Sequence, residues 1–195
     1  MNSYNFKRSE SIKEKRKLLK EQTRNGNEES KRLWFVSAIL KSKGVKRQEI
    51  ASALQVTPQN LSYIFTVQDD CYLDTVQKIL DYVGISCKVI IEMERTKEES
   101  VGKKKQKYLF RGNFSIEKEP LCPSFITACP KNARLRFLAD AIMATGLPFS
   151  EFLKKVNMYY STVQNYFHND NIKVSALCNI ARYLDAKIVW DLNEA

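Results

Sequence analysis

The sequence predicts a mainly α protein of two four-helix units in tandem, each followed by a short β-strand, the units joined as an intrachain pseudo-dimer by a small sheet. Three observations predict this. Apolar residues recur at helical spacing, the chain repeats itself at an offset of 102 residues, and a β-prone run follows the last helix of each repeat.

At 195 residues, 44 % hydrophobic and 28 % charged, the chain suffices for one good core or two small ones. Only 6 Gly and 5 Pro argue against an elaborate loop-built active site. No apolar run approaches the roughly 20 residues that cross a bilayer, and MNSYNFKRSE lacks the apolar core of a secretory signal. A soluble, cytoplasmic protein without membrane contact is expected. The five cysteines form no CxxC pair and are accompanied only by His168, which argues against zinc and predicts buried, reduced thiols. No metal, cofactor or catalytic residue is expected: one histidine, no phosphate-binding loop and no clustered carboxylates leave no nucleophile or base.

In the repeat, GVKRQEIASALQVTPQNLSYIF from Gly44 falls on GLPFSEFLKKVNMYYSTVQNYF from Gly146. Arg32/Arg134, Leu33/Leu135, Phe35/Phe137, Gly44/Gly146, Glu49/Glu151 and Phe65/Phe167 coincide; after a gap of one residue so do Ile79/Ile180 and Tyr82/Tyr183. Apolar character is kept at Ile50/Phe152, Leu54/Val156, Val56/Met158, Leu61/Val163 and Ile64/Tyr166.

Each element follows from its pattern. Leu33, Phe35, Val36, Ile39 and Leu40 predict a helix over 31–43, ended by Gly44 in a left-handed conformation. A short helix spans 48–54, Gln55-Val56 turn the chain, and Thr57-Pro58 provide a capping hydroxyl and a first-turn proline for a helix over 58–66. Leu73, Val76, Ile79, Leu80 and Val83 predict a fourth helix stopping at Gly84. The second unit has counterparts at 132–145, 149–156, 160–168 and 173–184.

The runs 87–93 and 187–192 are β-prone and need partners, either each other or a strand within 108–116. Residues 94–107 carry charge without an apolar period and predict a solvated loop or tether, and the stretch from Leu121 an irregular surface crossing. The chain therefore divides into a basic segment 1–30 with a helical stretch at 12–22, a first domain 31–93, a charged linker 94–131 and a second domain 132–195.

Gln48-Glu49-Ile50-Ala51 and Val56-Thr57-Pro58-Gln59-Asn60-Leu61-Ser62 resemble the Cro/phage-repressor helix-turn-helix family, also called XRE-like. The resemblance covers roughly 31–86 and, more faintly, 132–186, where Ser150, Leu153 and Tyr159 depart from the pattern. It implies two lambda-repressor-like helix-turn-helix domains and double-stranded DNA as the partner, with the second helix of each pair in the major groove. It then assigns base reading to Gln59, Ser62 and Tyr63, and phosphate contacts to Asn60 and Gln48 with Lys43, Lys46 and Arg47 beside them, and it places Thr57 at the same DNA-binding site. In the second unit Ser150, Tyr160, Ser161, Gln164 and Asn165 hold the corresponding positions. Neither turn carries the family's usual glycine; Asn157 and Gln55 stand there instead.

Charge agrees with an acidic polymer as partner. Of the net +10, residues 31–68 hold six basic residues and one acidic, while 69–93 hold two basic and five acidic. The expected function is a sequence-specific DNA-binding transcriptional regulator, a repressor, with two unlike recognition helices in one chain. The alternative is an antitoxin-like or scaffold protein-interaction module, in which the β segments and linker hydrophobes dock a partner and DNA binding is secondary; pairing into a homodimer through the β segments is open to either reading.

Overall fold

Helices α1 (Trp34–Ser42), α2 (Arg47–Ala53), α3 (Pro58–Tyr63) and α4 (Leu73–Tyr82) open the described part of the chain. The structure is a computed structural model that describes residues 32–99, 102–113 and 126–194, with the backbone alone of 95–99, 102–105 and 194. The basic stretch 12–22 lies outside the described residues. Two compact units are formed, Met1–Cys71 with Lys78–Val83, and Tyr72–Gln77 with Gly84–Ala195.

In the first unit the inward faces of the helices make the core: Phe35, Val36, Leu40, Ile50, Ala51, Leu61 and Phe65 are all buried. Gly44, at φ +66, lets the Val45 N–H turn back to the Leu40 carbonyl at 3.1 Å and closes α1. Beyond α3 the chain widens into a five-residue π-helix, Ile64–Gln68, that ends on Asp69 at φ 45. The Asp69 carboxylate accepts the backbone N–H groups of Arg32 (2.8 Å) and Leu33 (3.1 Å), two donors that the start of α1 cannot satisfy within the helix. Nearby, the buried Cys71 thiol is pushed up to about 12, first by desolvation and then by the carboxylates of Asp70 and Asp69.

The second unit is built on an antiparallel sheet of order β2-β1-β3, with β1 Ile85–Glu99, β2 Gly102–Asn113 and β3 Ala186–Glu194. Ile85, Cys87, Val89, Ile91 and Met93 alternate with Ser86, Lys88, Ile90 and Glu92, and only the first set is buried, so the sheet has one covered and one open face. Helix α5 (Arg136–Met143) packs on β1 and β2. Gly112 makes that approach possible, because a Cβ there would lie 2.5 Å from the Phe137 ring. Helices α6 (Phe149–Val156), α7 (Tyr160–His168) and α8 (Val174–Tyr183) follow. Of the expected irregular crossing from Leu121, the described part is a 3-10 turn at Ile126–Ala128, with Ile126 and Cys129 buried.

The sheet corrects the expected fold class. Strands of 15, 12 and 9 residues make this a mixed α/β protein, not a mainly α pair of tandem helix-turn-helix domains with short strands. The difference lies in 94–107, expected as a loop. Its backbone instead continues the β1–β2 ladder, from Glu94↔Lys107 to Glu99↔Gly102. Ladder bonds join main-chain groups and need no apolar period; the register set at Val89↔Gly112 and Ile91↔Phe110 simply runs on.

The repeat is clearest in the backbone. Among the described residues eight have left-handed φ, and all eight fall into repeat-equivalent pairs: Gly44/Gly146, Gln55/Asn157, Asp69/Asp170 and Gly84/Asp185. Asp170 is fully buried and accepts the N–H groups of Arg134 and Leu135, both at 2.9 Å, as Asp69 does for Arg32 and Leu33. The first two pairs lie 102 residues apart and the last two 101. The missing residue falls where the first unit has its π-helix and α7 of the second remains α-helical to His168. A π turn, bonded i to i+5, holds the extra residue, so the aspartate still reaches its helix. Pairing within the second unit also joins equivalent positions, at Val89↔Trp190 in the β1–β3 ladder and at the bridge Tyr72↔Lys173.

Candidate nucleic-acid interface

In the first unit α2 packs against α3 with Ile50, Ala51 and Leu61 all at 0 % exposure, and Ala51 brings only a methyl to that core. The turn between them needs a left-handed residue, and Gln55 supplies it at φ 56 without glycine. Its N–H donates to the Ser52 carbonyl (3.1 Å) and that of Val56 to Ala51 (2.9 Å), which satisfies the end of α2. Thr57 then caps α3, its hydroxyl accepting the Asn60 N–H at 3.2 Å.

These constraints leave Gln59 and Asn60 exposed on the first turn of α3, with Ser62 and Tyr63 half-buried behind them. Lys43, Lys46 and Gln48 are exposed around the start of α2, as is Lys41. Arg47 is more restricted, its guanidinium 5.9 Å over the Phe65 ring. Thr57 is likewise engaged as the cap. Glu49 is the one acidic residue between 31 and 68.

The second unit repeats the turn with different chemistry. Asn157, at φ 51, replaces Gln55, and the Met158 N–H closes α6 onto the Leu153 carbonyl at 3.1 Å. The side chain of Asn179 on α8 fastens this corner by donating to the Val156 carbonyl at 2.9 Å. Tyr159 occupies the position of Thr57, makes no side-chain capping bond, and is 83 % exposed. Ser150, Tyr160, Ser161 and Asn165 are exposed, and Gln164 is half-buried. The Tyr160 ring meets Phe149 edge-on at 6.0 Å, and Phe149 stacks on the buried Phe152 at 5.9 Å. Lys154 and Lys155 are exposed at the end of α6.

Sequence reasoning overlooked the aspartate caps, although they had a signal, an aspartate at equivalent places in both repeats. Tyr159 is the departure from the capping pattern that the sequence already marks, and its exposure is what the structure adds. Among the described residues no three His, Cys, Asp or Glu cluster so as to hold a metal ion, and no helix is long and apolar enough to cross a membrane. No protein-family model, characterised protein or solved structure is detectably similar to this chain.

Proposed function

We propose that this protein binds duplex DNA sequence-specifically as a transcriptional regulator, with the first unit as the reading module. The observation that carries the reading is the fixed exposure of Gln59 and Asn60 on a helix held by the Gln55 turn and the Thr57 cap. The Gln59 side-chain amide offers a donor and an acceptor at once, which is what the major-groove edge of adenine demands. Lys41, Lys43 and Lys46 add cations for phosphates, which carry affinity but no sequence information. Ser62 and Tyr63, being half-buried, contribute less surface to such a contact.

Selection of bound duplexes from a random pool tests the reading, followed by titration across salt. A recurring sequence motif is expected, with affinity falling linearly on a log–log salt plot. Gln59→Ala should weaken the selected site by roughly 1–3 kcal/mol and relax one position of the motif, whereas Lys46→Ala should weaken all duplexes alike and lower the salt slope by about 1. An unenriched pool with salt-independent binding would sink the proposal.

A further inference from the structure

We propose that the α6–α7 corner of the second unit is a stacking platform for unpaired bases, and that single-stranded DNA is its ligand. Four aromatic rings lead outward here: Phe152 is buried, Phe149 stacks on it, Tyr160 meets Phe149 edge-on and is 42 % exposed, and Tyr159 next to it is 83 % exposed. Tyr160 is therefore braced from the core while Tyr159 stands in solvent. This position also lacks the capping hydroxyl that Thr57 supplies in the first unit. Neither the exposure nor the absent cap adds a contact to the fold, and both are explained by a ring held out for a ligand.

The ligand's chemistry follows from what surrounds the rings. Lys154 and Lys155 are exposed in the last turn of α6, five and four residues before Tyr159, so two cations lie near the aromatic residues along the chain. Flat apolar faces beside positive charge match a polymer of stacked rings on a phosphate backbone. In a duplex the base faces are covered by their neighbours; only unpaired nucleotides can lay them on tyrosine. This corner thus has a chemistry different from the amide-bearing turn of α3, and the inference does not depend on duplex reading by the first unit.

The test uses the full chain with labelled oligothymidylate of about 16 nucleotides, oligouridylate of the same length, and a duplex. Oligothymidylate is expected to bind, and Tyr159→Thr to weaken it roughly tenfold, the scale of one lost stacked base. Tyr159→Thr restores the capping hydroxyl, so it should melt no lower than the parent, which separates lost stacking from lost folding. Tyr159→Trp should keep binding, and Tyr160→Ser should weaken it. Gln59→Ala leaves oligothymidylate binding unchanged, so failure of duplex reading and failure of the platform are distinguishable. The proposal is overturned if oligothymidylate does not bind, if Tyr159→Thr binds it as the parent does, or if oligouridylate binds more tightly. It is equally overturned if the tyrosine substitutions weaken only the duplex.

Discussion

Asp170 accepts the backbone N–H of Leu135 at 2.9 Å across 35 residues of sequence, so the helix that Leu135 introduces is capped by a residue lying far beyond its own end. Asp69 does the same for Leu33 at 3.1 Å. In each case the carboxylate occupies a left-handed bend that aims it back at the helix start.

Replacing these caps should be costly, and unequally so. Asp170→Ala leaves two donors unsatisfied at a site of 0 % exposure and should destabilise by roughly 2–4 kcal/mol. Asp69→Ala, at 9 % exposure, allows water nearer and should cost about half as much. Asn at either position keeps one acceptor and tolerates the bend, so urea midpoints should fall less for Asn than for Ala.

Gly112→Ala is expected to destabilise by about 1–3 kcal/mol, because its Cβ would lie 2.5 Å from the Phe137 ring, which is buried and cannot swing away. Adding Phe137→Leu should recover part of the loss. A double-mutant cycle by urea unfolding measures the coupling, and strict additivity would contradict it.

The two interhelical turns should answer differently to glycine. Gln55→Gly removes the steric penalty of a left-handed Gln and should stabilise by about 0.5 kcal/mol after the entropy cost of glycine. Asn157→Gly should be near neutral or slightly unfavourable, since asparagine already adopts φ 51 with ease. Thermal midpoints of the two variants check this.

Stability should fall above pH 9 through Cys71. Its thiol is raised from 9.0 to about 12 in the folded chain, so between those values the unfolded chain has lost a proton that the native one keeps. The stabilisation is complete below the unfolded value and fades as pH climbs toward the folded one, at up to about 1.4 kcal/mol per pH unit. Cys71→Ala lowers overall stability through the lost packing, but it should flatten the slope of unfolding free energy between pH 9 and 11 relative to the parent.

Where structure follows from nearby residues, the sequence made it legible. Helices α6 and α7 run over 149–156 and 160–168, as their apolar spacing predicts, and Gly44 and Gly146 adopt the left-handed φ expected of a terminating glycine. What escaped is non-local. Capping rules look one residue before a helix, whereas Asp69 and Asp170 arrive from 35 to 37 positions away. The strand extension over 94–99 and 102–107 escaped because hairpin register, not side-chain pattern, carries it. At the candidate interface the exposure of Gln59 and Asn60 follows from the local turn, but the retention of Arg47 by Phe65 depends on a ring 18 positions on.

In genetic terms the π-helix at Ile64–Gln68 is a tolerance for indels. A codon gained between Phe65 and Asp69 swells one turn instead of displacing the carboxylate that anchors the unit's first helix. Duplicated copies built this way are free to drift in length as well as in spelling, provided each mutation leaves the bend at its aspartate in place.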